Sequence, residues 1–142
     1  MTEISKDTQK LVETLRKVPV IMLTSMGRDG HLNSRPMVLQ EIDPDGTMWF
    51  FIGRTAAVTD ELNHNAQVSV SHAEGTTMTY IAVAGKACLV DDRARISVLW
   101  RAEYLTWFSL GVNDPDLALM RVDIETAERW QDGNHLHLAK SH

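Results

Sequence analysis

Leu11, Val12 and Leu15 recur at helical spacing behind Ser5 and Asp7, either of which can cap a helix, and Pro19 ends the pattern. The spacing predicts an amphipathic helix from about Thr8 to Lys17. From Val20 the signal changes to short runs rich in Val, Ile, Leu, Met and Thr, separated by turn residues. Val20 to Met26, His31 to Ile42 and Thr47 to Ile52 are set apart by Gly27-Arg28-Asp29-Gly30 and Asp43-Pro44-Asp45-Gly46. Asp-Gly between apolar runs is a strong hairpin signal, because both residues tolerate the positive φ that such turns require. Three successive antiparallel strands are predicted. Val58 to Asn65 reads as a short helix, Gln67 to His72 as an alternating strand, and Thr79 to Val90 as a long strand with Gly85 at a bulge or close approach. Asp91 and Asp92 cap a second helix, Arg93 to Phe108, and after Gly111-Val112-Asn113-Asp114-Pro115 come strands Leu117 to Ile124 and Arg129 to Gln131. The predicted fold class is α+β, mainly antiparallel β: a barrel of six to seven strands with flanking helices, rather than a βαβ sheet.

The chain has 142 residues, and no repeat, low-complexity segment or linker divides it, so one domain over 1–142 is expected, with an N-terminal helix within 1–18 and a tail at 132–142. Residues 1–17 are polar and charged with no apolar core, which predicts neither a signal peptide nor a membrane span and a cytoplasmic location. A formal charge of −5 argues against nucleic acid as the main partner. The single cysteine, Cys88, excludes an internal disulfide and a cysteine cluster for zinc.

Phosphate-loop, HExxH and GxSxG signatures are absent, and Cys88 sits in a predicted strand without an obvious base, where it reads as a small buried hydrophobe. His135 and His137 stand two apart, as on one face of a strand, but local spacing ties no carboxylate or third histidine to them, so a solvated tail and no metal site are expected. Seven of the nine aromatic rings fall in two stretches, Trp49-Phe50-Phe51 and Trp100 to Phe108. Near the first, Ser34-Arg35-Pro36-Met37 holds an arginine extended before a proline, placed either to fork onto a phosphate or carboxylate or simply to lie exposed on an edge strand. Arg54-Thr55 sets a cation and a hydroxyl at a helix entry, where free N–H groups favour anions; an ordinary core strand and helix entry is the plainer reading. Together the two segments offer an aromatic surface and phosphate-compatible donors, the combination that a flavin mononucleotide (FMN) uses.

The ordered set Asp29-Gly30-His31, Ser34-Arg35-Pro36-Met37, Asp43-Pro44-Asp45-Gly46-Thr47, Trp49-Phe50-Phe51, Asp91-Asp92-Arg93-Ala94, Leu99-Trp100, Trp107-Phe108 and Asp114-Pro115 resembles the bacterial general stress proteins of the pyridoxamine 5′-phosphate oxidase-like family. The match runs from about Val18 to Gln131. The resemblance implies an FMN-binding split β-barrel that works as a homodimer, with the flavin in a groove between subunits. It also implies cofactor-binding residues: Arg35, Pro36, Met37 and Val38 along the ring and ribityl chain, Trp49, Phe50 and Phe51 on the next strand, Arg54 and Thr55 at the phosphate end, Tyr80 as a polar contact, and Trp107 and Phe108 covering the ring from the partner chain.

Two departures from the family pattern matter. A Lys commonly found two residues beyond the Ser/Thr of the phosphate segment is here Ala57. Losing a charge-assisted hydrogen bond costs about 1.5–3 kcal/mol, roughly ten- to a hundredfold in affinity, so weakened FMN binding is expected. Trp130-Gln131 resembles the true oxidases, but the segment continues Asp132-Gly133-Asn134-His135-Leu136-His137 without the arginine that grips a substrate phosphate. Pyridoxamine 5′-phosphate oxidase activity is therefore expected to be absent. The expected function is an FMN-dependent oxidoreductase passing electrons from a reduced nicotinamide, a small-molecule donor, to an unidentified acceptor, with no catalytic side chain named because the chemistry belongs to the flavin. The alternative is a non-catalytic stress protein that binds flavin or another small ligand, with weakened or lost FMN binding.

Overall fold

Two Asp-Gly turns organise the first half of the chain. Gly30 and Gly46 adopt φ of +84° and +96°, the left-handed region where a Cβ is disfavoured, and each reverses one strand onto the next. The computed structural model describes residues 5–139. Residues 1–4 of the expected N-terminal region and 140–142 of the expected tail lie outside the described residues. In chain order the elements are α1 (Lys6–Leu15), β1 (Val20–Met26), β2 (Leu32–Ile42), β3 (Met48–Gly53), α2 (Ala57–His64), β4 (Gln67–Glu74), β5 (Thr79–Val90), α3 (Arg93–Leu99), 3-10 turns at Ala102–Thr106 and Gly111–Asn113, β6 (Leu117–Gln131) and β7 (Asn134–Ala139).

All pairings are antiparallel, in the order β3-β2-β1-β4-β5-β6, and a further β3–β6 pairing closes six strands into a barrel. The α+β barrel class is thus observed. On the edge of β6 away from β5, residues 117–122 pair with β3 and residues 126–131 pair with β7. One long strand thereby serves two partners, and the sheet splits between them. Alternating residues Ile21, Leu23, Met48, Phe50, Ile52, Val68, Val70, Ile81 and Val83 fill the interior, where Leu11, Val12 and Leu15 of α1 join them. A second cluster, Trp49, Ile96, Leu117 and Leu119 with Phe51, Leu99, Trp100 and Phe108, packs α3 and the first 3-10 turn against the outside of β3 and β6.

Four details differ from the sequence expectations. Helix α1 starts earlier, because the Ser5 hydroxyl accepts the Thr8 N–H at 3.1 Å, and it ends at Leu15. The predicted helix Arg93–Phe108 stops at Leu99: Trp100 is extended (φ −64°, ψ 139°), and its ring lies 6.2 Å from Phe51 and 5.7 Å from Tyr104. Aromatic packing there overrides helical periodicity. The two predicted C-terminal strands are one, β6. The expected solvated tail folds back as β7 through a turn at Asp132 and Gly133, with φ of 51° and 79°. That turn is a third Asp-Gly pair, carrying the same signal as the first two.

Candidate functional site

Strand β2 pairs with β3 only through Leu39, Glu41 and Ile42, opposite Phe50, Trp49 and Met48. Beyond Leu39 the strands part, and the residues of β2 nearer its start present a free edge. Alternate residues of a strand direct their amides to opposite edges. The Leu39 N–H bonds to Pro19 on the β1 side, so the Pro36 nitrogen lies on the free edge, where a missing N–H breaks no ladder. The proline therefore marks the opening rather than interrupting the sheet.

The opening is a cleft of about 490 Å³, within the range of small-molecule sites. Pro36, Met37, Val38 and Gln40 of β2 form one wall, and Phe51, Ile52 and Gly53 of β3 form the other. Ala56 and Val58 at the start of α2, with Asp116 just before β6, close one end. Tyr104, Trp107 and Phe108 cover the outside. The cover is held by Tyr104, whose ring meets Phe51 edge-on at 5.4 Å and whose hydroxyl lies 3.0 Å from Gln40 Oε1 as donor. Amides of Trp107 and Phe108 both bond back to the Tyr104 carbonyl at 3.0 Å. Trp107 remains 69% exposed, its ring free to meet a ligand or another chain.

Of the residues named from sequence, the structure gathers Pro36, Met37, Val38, Phe51, Trp107 and Phe108 on this cleft. Of the other six, Thr55 meets the cleft through Asp116 and five lie elsewhere. Strand alternation separates the three adjacent rings: Phe50 is fully buried inside the barrel, while Trp49 faces outward beneath Arg95, whose guanidinium carbon is 3.9 Å from the ring centroid. Arg35 faces the barrel end covered by α2, donating to Ser25 Oγ at 2.7 Å and to Glu61 Oε1 at 3.1 Å. Glu61 also accepts from Ser25 and Asn33. The Ser25 hydroxyl first, then Asn33 and Arg35, hold its carboxyl below the usual range, against the opposing effect of burial. Arg54 pairs with Asp91 at 3.0 Å, an acid it shares with Arg93. Thr55 gives its N–H and its hydroxyl to Asp116 Oδ1, each at 2.9 Å. Tyr80 lies on β5 opposite Ala73 and Trp130, its hydroxyl 3.6 Å from Met78 Sδ.

Sequence reasoning passed over Gln40, Tyr104 and Asp116. Tyr104 stood in the second aromatic stretch; nothing local marks Gln40, and Asp116 comes to Thr55 only through the β3–β6 pairing. The carboxylate that spacing did not reveal beside His135 and His137 is Glu128 on β6, its Oε1 at 3.3 and 3.6 Å from their ring nitrogens.

A closed antiparallel barrel split at one edge, with an aromatic cleft in the split, defines the class of protein. The chain belongs to the family described as pyridoxamine 5′-phosphate oxidase like, whose sequence profile matches residues 6–141. No curated protein matches the sequence. Among solved structures it is similar to the general stress FMN/FAD binding protein of Xanthomonas citri, with 29% identity over 97% of each chain and a TM-score of 0.73. A general stress family protein of Xanthomonas campestris pv. campestris shares 28% identity over 100% of this chain and 97% of that one, at TM-score 0.72. A Clostridium acetobutylicum protein related to general stress protein 26 has the same fold, with TM-score 0.78 and 94% of each chain covered at 17% identity. No helix among the described residues is long and apolar enough to cross a membrane.

Proposed function

We propose that this protein binds a flavin in the cleft between β2 and β3, as a homodimer, and serves as a flavin-dependent oxidoreductase between a reduced nicotinamide and an acceptor. The observation that carries the reading is the cleft itself. Its walls are flat and apolar at Pro36, Met37, Val38 and Phe51, with Trp107 and Phe108 above them, which suits an isoalloxazine ring. The flavin-binding description of the Xanthomonas citri relative supports the same ligand class. A bound flavin supplies the electron transfer, and the protein's part is to hold and screen the ring. Tyr104, fixed to Gln40 and Phe51, orients the cover that limits water at the ring.

The ring end of a flavin fits the residues present; the phosphate end does not. Arg54 is engaged by Asp91, Thr55 by Asp116, and position 57 is alanine. Those three facts favour weak FMN affinity, the feature that the second reading, a non-catalytic flavin-binding protein, shares. Support for the dimer comes from the outward faces of β1 and β2, where Val20, Met22, Val38 and Leu32 are 42%, 40%, 41% and 67% exposed.

Visible absorption of freshly purified protein, followed by addition of flavins and then NADPH without oxygen, tests the reading. A visible flavin absorption band is expected, and NADPH is expected to bleach it. Failure to take up any flavin defeats the proposal, and bound flavin that no nicotinamide reduces selects the non-catalytic reading.

A further inference from the structure

Among the described residues, Asp116 is the one charged side chain lining the cleft. Its Oδ1 takes both the N–H and the hydroxyl of Thr55, donors that an anion at the entry to α2 would otherwise use. Gly53 gives the carboxylate its room, since a Cβ there would stand 2.8 Å from Asp116 Oδ2. Its partners are neutral: among the described residues no Lys, Arg or His forms an ion pair with it. Arg54, the nearest basic residue in sequence to this end, is drawn to Asp91. The chain's own carboxylate thus occupies the anion position of its cleft, and its negative charge faces whatever enters.

We propose that Asp116 makes the cleft selective for a flavin that carries no phosphate, with riboflavin bound in preference to FMN; this rests on the flavin reading above. An ionised carboxylate only accepts hydrogen bonds. The ribityl end of riboflavin brings hydroxyl donors to it, whereas a phosphate dianion brings acceptors and like charge. Between apolar walls that repulsion is screened less than in bulk water. A site built to bond a hydroxyl discriminates strongly against a group that cannot donate.

The test is a fluorescence-quenching titration of the flavin-free full chain with riboflavin and with FMN, at pH about 8, where the second phosphate proton (pKa ~6) is gone, and at low and high salt. Riboflavin is expected to bind about tenfold or more tightly than FMN, and added salt to tighten FMN while leaving riboflavin nearly unaffected. Asp116→Asn, which keeps an acceptor for Thr55, is expected to tighten FMN about tenfold and to weaken riboflavin. Equal or tighter FMN binding by the unaltered chain, or parallel shifts of both ligands in Asp116→Asn, overturns the role of Asp116 and leaves the flavin reading standing. Binding of neither flavin overturns both. The ligand comparison and the salt series need no substitution, so a variant that fails to fold does not blunt the test.

Discussion

Glu61 shows how a single helical side chain becomes a structural anchor. It lies on the short helix α2 and accepts from Ser25, Asn33 and Arg35 on two different strands. The same knot explains why Arg35, an apparent anion-binding candidate in sequence, is directed to an internal carboxylate. Glu61→Gln removes the charge that satisfies a guanidinium whose side chain is 24% exposed, and is expected to lower unfolding free energy at pH 7 by about 2 kcal/mol. The pH dependence follows from the depressed carboxyl. In the unfolded chain Glu61 titrates at the value of an ordinary glutamate; its contribution is complete above that value and is lost as pH falls through the lower folded value. Urea denaturation of the parent and Glu61→Gln between pH 7 and pH 3 checks this: the difference between them is expected to shrink on acidification. A constant difference would assign the effect to packing.

Among the elements, the long pair β5–β6 carries the sharpest local constraint. The register shifts between Ala84 and Gly85, where Ala84 faces Thr126 and Gly85 faces Ile124, leaving Glu125 as the extra residue of a bulge. A Cβ on Gly85 would collide with the Asp123 carbonyl oxygen. Because the obstacle is backbone, Gly85→Ala is expected to cost about 2–3 kcal/mol, read as a lower denaturation midpoint. An unchanged midpoint would show that the bulge can slide. The bulge was legible in sequence as a glycine inside a strand pattern. The break after Leu99 was not, because nothing local forbids a helix through Trp100; its ring leaves the helical path to meet Phe51 and Tyr104, which different elements supply. The cover over the cleft therefore depends on contacts that no periodicity records.

At the scale of the whole molecule, closure of the barrel sets both the core and the opening. Pairing of β3 with β6 consumes the far edge of β3, while its near edge pairs with β2 for three residues only. The remaining edge of β2 is left for the cleft, beside an outward face that exposes Val20, Met22, Val38 and Leu32. If that face joins two copies as proposed, Met22→Glu is expected to yield a monomer in light scattering while changing thermal stability of the chain itself little, since Met22 is 40% exposed. A dimer that persists in Met22→Glu places the subunit contact elsewhere.

The sequence by itself determined the first two helices and the strands β1 to β5 through hydrophobic period and Asp-Gly turns, and through the ordered motifs it determined the family, because those signals are local or additive along the chain. It also contained the alternation that separates Trp49 and Phe51 from Phe50. Only the tertiary structure decided which polar groups meet. Arg35 with Glu61, Arg54 with Asp91 and Thr55 with Asp116 are pairings across elements, and hydrogen bonding is directional and short-ranged, so partners distant in sequence are settled by the closed barrel and not by spacing. That is why the apolar walls of the cleft could be named from sequence and the charge at its end could not.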